Sequence, residues 1–142
     1  MPFPTVFKLD PLLSADTDDI GSLGLCQALL MRDARYPWIV LVPQQAHLTE
    51  LSDLSRDDRI RLMDEIEIAS VSLTRLFTPK KINIGAIGNI VRQLHVHIVA
   101  RNEGDPAWPG PVWGHSPAVP YAGDALAQKI SKLRRELNIS RL

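Results

Sequence analysis

The stretch that decides the fold runs over residues 92–100, Arg-Gln-Leu-His-Val-His-Ile-Val-Ala. Its apolar residues alternate with other residues, a two-residue period that predicts a β-strand with one face on the core. The apolar face consists of Leu94, Val96, Ile98 and Ala100. The opposite face consists of Gln93, His95, His97 and Val99. Two imidazoles are therefore expected side by side on the polar face of one strand, about 7 Å apart.

A second strand is predicted at 81–87, joined to the first by the turn 88–90. Its apolar face consists of Ile82, Ile84 and Ala86. If both apolar faces pack on the core, register parity puts Asn83 and Gly85 on the histidine face. A glycine there would leave the sheet surface open to a ligand. Asn89, at the tip of the turn, is expected to offer amide donors to the same ligand.

The rest of the chain supplies two more strands and two helices. Apolar runs predict strands at 25–31 and at 38–42, the second ended by Pro43 and connected to the first by a hairpin. A long helix is predicted from Ser55, which with Asp58 resembles a capping box, to the residues before Pro79. Its expected apolar stripe consists of Ile60, Met63, Ile66, Leu73, Leu76 and Phe77.

A final helix is predicted at about 123–137, with Leu126, Ile130, Leu133 and Leu137 on one side. The predicted order is therefore β-β-α-β-β-α, with hairpins and one long helix between them. That order predicts an α+β fold in which an antiparallel sheet carries one long helix and a C-terminal helix. All 142 residues are assigned to one domain, 1–142.

Composition excludes several classes of partner. Sixteen basic residues balance sixteen acidic ones, so no global field attracts a nucleic-acid polymer or an anionic membrane. No apolar run approaches the roughly 18 residues that suggest a membrane span. The one cysteine, Cys26, lies in an apolar run and is expected to be a buried small hydrophobe rather than a nucleophile. The cytoplasm is the expected location.

By itself, a His-x-His pair on a strand is compatible with three kinds of site. The pair could form half of a tetrahedral zinc shell, completed by His47, His115 or a carboxylate. It could also be structural, with both rings satisfied by neighbours. The third possibility is phosphoryl chemistry, in which one imidazole attacks phosphorus and the other donates to a phosphate oxygen or leaving group. Spacing alone does not choose among these.

The segment 93–99 resembles the motif of the histidine triad (HIT) superfamily, His-φ-His-φ-His-φ-φ with φ apolar. The resemblance extends to the strand segment 37–43 and to 105–114, the latter being similar to a bacterial branch of HIT-like proteins, and covers about residues 5–137. It implies an α+β HIT-like fold. It also implies that His95 is the nucleophile and that His97 contacts the phosphate, with no cofactor.

Two positions depart from the family pattern. Gln93 replaces the first motif histidine, and Trp38 stands where many members carry a fourth histidine near the start of the strand before the long helix. Glutamine can hydrogen-bond but cannot titrate. Both departures remove groups that help to handle protons or the leaving group, so they bear on turnover rate and substrate choice more than on His95.

The resemblance implies a nucleotidyl hydrolase or transferase that forms a nucleotidyl-histidine intermediate on a nucleoside monophosphate derivative. Asp33 is a candidate contact to the ribose hydroxyls, with Arg32 as the alternative if the alignment slips by one residue. The complete set of expected substrate contacts is Gln93, Asn89, Asn83, Asp33, Arg32, Trp38, Arg101 and Trp108. The alternatives are a nucleotide-binding module without catalysis and a zinc-dependent hydrolase. A homodimer is also expected.

The segment 105–114 starts a few residues after the histidine strand, so it is expected to border the site and to help define the substrate. Three prolines stiffen it, and it carries Trp108 and Trp113. Two alternatives remain open for these tryptophans: they cap the core beneath the final helix, or they lie in a dimer interface.

Overall fold

A hairpin of two almost entirely apolar strands forms the centre of the fold in the computed structural model, which describes residues 6–139. β2 spans Cys26–Met31 and β3 spans Trp38–Pro43, and every residue of β3 is buried. The two strands pair antiparallel, which confirms the predicted hairpin. Strands buried on both faces read as continuous apolar runs, because no position along them meets water.

Three more strands complete an antiparallel sheet in the order β1-β2-β3-β5-β4. β1 spans Thr17–Ser22, β4 spans Lys81–Gly85 and β5 spans Val96–Arg101. The sequence pattern does not predict β1, because this edge strand carries two aspartates and a bulge that shifts the register before Gly21. It also does not predict α1, a helix of six residues over Pro11–Asp16 that Asp10 caps.

The histidine strand is shorter than predicted. β5 begins at Val96, so Gln93 and His95 precede it, and β4 ends at Gly85 rather than at residue 87. The reason is a change of partner, since the backbone N–H of Leu94 donates to Leu48 O at 2.9 Å instead of pairing with β4. The predicted parity nevertheless holds: Asn83 pairs with Val99, and Gly85 pairs with His97.

The long helix, α2, spans Arg56–Phe77 and is capped as predicted by Ser55, whose hydroxyl accepts from Asp58 N at 3.1 Å. Only the Ser55 half of the predicted capping box matches. The Asp58 carboxylate, which would form the other half, accepts a hydrogen bond from Gln45 Nε2 instead. Ile60 and Met63 were expected on the core face, yet they are 49% and 64% exposed. The buried residues of α2 are Leu62, Glu65, Ile66, Ala69, Ser72 and Leu73.

Glu65 is buried because it replaces a missing strand partner. Its two carboxylate oxygens accept from the backbone N–H groups of Leu25 and Cys26 at 2.9 and 2.8 Å, where β2 begins. Burial, together with Glu65, raises the pKa of the Cys26 thiol, which is fully buried, as expected for a small hydrophobe. A helix position that looks polar in the sequence thus faces the core.

The sheet separates two apolar clusters. One face packs against α2 and against α3, which spans Ala125–Glu136 close to the predicted bounds. The other face is covered by the N-terminal segment, α1 and the segment 105–119. None of the helices in the described part of the chain is both long and apolar enough to cross a membrane. The one-domain assignment of 1–142 stays a prediction, and residues 1–5 and 140–142 lie outside the described range.

Candidate active site

A cavity of about 1010 Å³ opens on the sheet face opposite the helices, and both motif histidines line it. α1 and the end of β2 border it on one side, and the turn 87–91 on another. Residues 111–118 border it on a third side, so only residues 111–114 of the segment predicted to border the site, 105–114, line the cavity. Its apolar lining includes Leu12, Leu13, Met31, Trp38, Ile87, Val91, Pro111, Val112 and Trp113. An apolar pocket with a few polar groups is the usual form of a small-molecule site.

His95 has one ring nitrogen committed to the backbone. Nδ1 lies 2.6 Å from the carbonyl oxygen of Gln93, two residues earlier in the chain. A carbonyl oxygen can only accept, so Nδ1 carries the proton and donates it to this bond. Nε2 of a neutral His95 is therefore left with a lone pair, which is the form that a nucleophilic imidazole needs.

His97 has the opposite arrangement. Its Nδ1 lies 3.0 Å from the indole Nε1 of Trp38, which is buried one strand away in β3. An indole N–H only donates, so Nδ1 of His97 accepts. Burial, together with the neighbouring His95, lowers the pKa of His97 to about 4. At neutral pH His97 is therefore uncharged, with its proton on Nε2.

The two rings meet edge to face, with centroids 4.9 Å apart and planes inclined by 73°. One ring offers a lone pair and its neighbour offers an N–H, both beside the same cavity. A phosphate ester matches this pair of rings, because its phosphorus is electron-poor and its oxygens carry negative charge. The arrangement can support nucleophilic attack on phosphorus with a donor for an oxygen that gains charge.

A second cavity of about 640 Å³ also reaches His95. It lies between the segments 49–52 and 86–95, and it is lined by polar groups that include Glu50, Asn89 and Arg92. Of the residues that line the two cavities, His95 and the turn 87–89 belong to both. His95 therefore sits where an apolar chamber meets a polar one.

The predicted contact Asn89 lies at this junction, and Gln93 lines the smaller cavity, although its side-chain amide is bonded to the N-terminal segment. The Gln93 side chain accepts from Asp10 N at 2.8 Å and donates to Lys8 O at 2.9 Å. Both ends of its amide thus hold the N-terminal segment, which places α1 at the mouth of the larger cavity. Gln93 therefore has a structural role, which its amide fills although it cannot titrate.

Asp33 and Arg32 both line the larger cavity, but they differ in burial. Asp33 is buried and receives hydrogen bonds from the Arg35 backbone and guanidinium, at 2.9 to 3.1 Å. Burial raises the pKa of Asp33, but the bonds from Arg35 outweigh it and leave the pKa below its ordinary value. Arg32 is half exposed and forms an ion pair with Asp18 at 2.6 Å.

Three of the expected contacts form a separate cluster. Arg101 is 1% exposed and donates to both oxygens of Asp105 at 2.8 and 2.9 Å, and to Asn83 Oδ1 at 2.8 Å. Its guanidinium also lies 5.7 Å from the Trp108 ring centroid. None of Asn83, Arg101 and Trp108 lines either cavity. The cluster fixes the start of the loop that encloses the larger cavity.

Trp113, rather than a ligand, occupies the space above Gly85. A Cβ at Gly85 would lie 2.9 Å from the Trp113 indole, so the expectation of an open sheet surface there is wrong. The Trp113 ring centroid is 5.7 Å from that of His97, which makes this side chain part of the site wall. Trp113 packs on the cluster opposite the helices, so it does not cap the core beneath α3.

Several wall residues have no signal in the sequence, among them Leu12, Leu13, Met31 and Val91. The described residues 6–139 contain no group of three or more His, Cys, Asp or Glu side chains that could hold a metal ion. His47 and His115, the histidines that the alternative of a zinc site would need as further ligands, line neither cavity.

The family model for the HIT domain matches residues 13–104. The chain belongs to the histidine triad family. The comparison with curated proteins gave no match. Among solved structures, a histidine triad protein from Sinorhizobium meliloti 1021 is 46% identical, with a TM-score of 0.89 over 92% of this chain and 96% of that one. The α+β fold predicted from the motif and the element order is that of this family.

Two further histidine triad proteins of known structure are 42% identical to this chain. The one from Bradyrhizobium japonicum aligns with a TM-score of 0.90 over 93% of this chain and 98% of that one. The one from Marinobacter aquaeolei VT8 aligns with a TM-score of 0.91 over 94% and 97%. The chain thus belongs to a family that binds nucleotides and that includes hydrolases.

Proposed function

We propose that the protein is a nucleotidyl hydrolase or transferase that acts at the α-phosphate of a nucleoside monophosphate bearing a leaving group. His95 Nε2 attacks the α-phosphorus. The bond from phosphorus to the leaving group breaks, and the leaving group departs with the electron pair and then takes a proton. Water attacks the resulting nucleotidyl-histidine, breaks the P–N bond and releases the nucleoside monophosphate. The bond from His95 Nδ1 to the Gln93 carbonyl carries this proposal, because it leaves the nucleophilic lone pair on Nε2.

The larger cavity is the proposed nucleoside site. Its walls are mostly apolar, which suits the faces of a base, and Asp33 at its edge supplies a carboxylate for ribose hydroxyls. Only one of the two Asp33 oxygens, Oδ1, accepts more than one bond, so Oδ2 has capacity for a hydroxyl. Asn89 and His97 would donate to the phosphoryl oxygens, where charge develops during attack.

The smaller cavity is the proposed exit for the leaving group. It meets the larger cavity at His95, so a substrate attacked there has its nucleoside on one side and its leaving group on the other. Polar walls suit a departing group that is charged or hydroxylated. Arg92 and Glu50 are the two charged side chains that such a group would meet.

Hydrolysis of an adenosine phosphoramidate tests the mechanism. Replacing His95 by alanine should lower release of AMP by about a thousandfold or more, because the nucleophile is lost, while AMP binding measured by calorimetry persists. His115→Ala is the matched control, since this exposed histidine lines neither cavity and should retain full turnover. Equal turnover by the His95→Ala and wild-type proteins would exclude the proposed mechanism.

Two alternatives predict different results in the same preparation. A nucleotide-binding module without catalysis would bind AMP yet turn over no phosphoramidate, dinucleoside polyphosphate or sugar nucleotide. A zinc-dependent hydrolase would contain stoichiometric zinc when purified without an affinity tag. Nucleotide is the proposed partner in each case, and neither a nucleic-acid polymer nor a membrane is.

We also propose a homodimer, formed through α2 and the β4 edge. β4 is an edge strand, and its Ile84 is 51% exposed. Exposed apolar residues on the outer side of α2 are Ile60, Met63, Ile68 and Val71. Unpaired backbone groups beside such a stripe favour association. Light scattering at micromolar concentration should give twice the chain mass, and a monomeric mass would contradict the proposal.

A further inference from the structure

The structure assigns Trp38 the role of a positioning residue that fixes which nitrogen of His97 carries the proton. Trp38 is buried at the start of β3, beside the histidine strand, and it is joined directly to His97 by the 3.0 Å bond. An imidazole at position 38 could donate to or accept from His97. An indole can only donate, so it permits one neutral form of His97, with the proton on Nε2.

The consequence is a pair of histidines in opposite tautomers. The Gln93 carbonyl holds the proton of His95 on Nδ1, and Trp38 holds the proton of His97 on Nε2. Protonation of His97 on Nδ1 would place two N–H groups against each other and break the bond to Trp38. Trp38 therefore fixes the tautomer of His97, and its hydrogen bond adds to burial and His95 in favouring the neutral form.

Within the described residues 6–139, the ring contacts, hydrogen bond and strand pairing of His97 involve no charged side chain that would compete with this control. Its neighbours are His95, Trp38, Trp113 and the paired residues Val40 and Gly85. The charged residues that line the same cavity are Asp16, Arg32 and Asp33. Arg32 is bonded to Asp18, and Asp33 is bonded to Arg35.

Nitrogen-15 NMR of the histidine side chains in the ligand-free protein tests the assignment directly. In the wild type, His97 should show an unprotonated Nδ1 and a protonated Nε2 throughout the range from neutral to mildly acidic pH. A protonated Nδ1 in that spectrum would overturn the inference. This readout needs no catalysis, so it stays informative even if no substrate is turned over.

Trp38→Phe removes the donor and keeps an aromatic ring. The midpoint of His97 titration should rise by about one pH unit, a tenfold change in its protonation equilibrium, as expected for the loss of one neutral hydrogen bond. Trp113→Phe is the matched control, because Trp113 contacts the same ring without a hydrogen bond to it. An unchanged His97 midpoint in Trp38→Phe, or the same rise in Trp113→Phe, would contradict the role of Trp38.

A second variant covers the case in which Trp38→Phe does not fold. Trp38→His introduces a group that can both donate and accept, so His97 should populate both tautomers, and a single Nε2–H form would count against the inference. The catalytic consequence rests on the proposed function. In an active protein, Trp38→Phe should lower kcat more than Trp113→Phe does, because only Trp38 holds the His97 proton on Nε2, where it can reach a phosphoryl oxygen. An inactive protein with His97 in the Nε2–H form would refute the function and leave the assignment intact.

Discussion

The two faces of the sheet are covered in different ways. On the helix side, apolar side chains of α2 and α3 fill the space against fully buried residues such as Ile39 and Ile98. On the opposite side, the covering segments contribute to an apolar cluster with residues such as Leu13 and Val112, and polar anchors also hold them. Gln93 fixes the N-terminal segment, Arg101 fixes residues 102–108, and Arg35 contacts Ser116.

The difference explains why the larger cavity lies on the face opposite the helices. Close packing of apolar side chains leaves no room for a ligand, because interiors reach the density of organic crystals. Hydrogen bonds and ion pairs fix a segment at a few points and leave the surface between them uncovered. The histidines face the side that is held by anchors, and the cavity of about 1010 Å³ lies between those anchors.

Breaking the ion pair between Arg101 and Asp105 should have the largest effect of the changes considered. Asp105→Asn would leave the buried Arg101 without a counter-charge and should lower the free energy of unfolding by about 3 kcal/mol. Chemical denaturation measures this. Glu103→Gln is the matched control, because Glu103 pairs with Lys80 at the surface, at 3.8 Å, and its loss should change stability by at most a few tenths of a kcal/mol.

The same ion pair predicts how stability depends on pH. The hydrogen bond from Arg101 lowers the pKa of Asp105, although burial opposes this. Because the folded pKa lies below the unfolded value of about 3.9, the unfolded chain takes up the proton first as pH falls. The free energy of unfolding should therefore decrease below about pH 5, and this contribution should be missing in Asp105→Asn. Identical pH profiles for the two proteins would contradict the assignment.

Substituting each tryptophan of the segment 105–114 in turn should distinguish a residue that anchors the loop from one that lines the cavity. Trp113→Ala removes wall surface beside His97 and should raise KM by about tenfold, the effect of losing one stacking partner, with a small loss of melting temperature. Trp108→Ala removes the ring beside Arg101 and should lower the melting temperature while affinity per folded site is unchanged. If both substitutions only unfold the protein, Trp113 is not part of a binding wall.

The smallest expected effect concerns the polar cavity. Arg92→Gln removes a cation that lines only the proposed exit for the leaving group, so AMP affinity should be unchanged. Turnover of substrates with an anionic leaving group should fall about threefold, in keeping with the weak effect of an exposed charge. Turnover of substrates with a neutral leaving group should stay constant. A parallel loss for both kinds of substrate would place Arg92 elsewhere in the mechanism.

The sequence by itself determined the elements with strong periodicity. The alternation at 92–100 put the right residues on each face of the histidine strand, and the parity of Asn83 and Gly85 followed from it. Ser55 marked the start of α2, because capping depends on residues only three positions apart. The motif 93–99 also identified the family, which the match over residues 13–104 confirmed.

Only the tertiary structure decided what each polar residue does. Arg101, Asn83 and Trp108 are predicted from the sequence to contact the substrate, yet Asn83 and Trp108 pack around the buried Arg101, and Gln93 holds the N-terminal segment. The Gly85 site is filled by Trp113, 28 positions away, and the bond that sets the His97 tautomer comes from Trp38, 59 positions away. Local periodicity fixes which face a side chain takes, but its partner depends on segments that meet only when the chain folds.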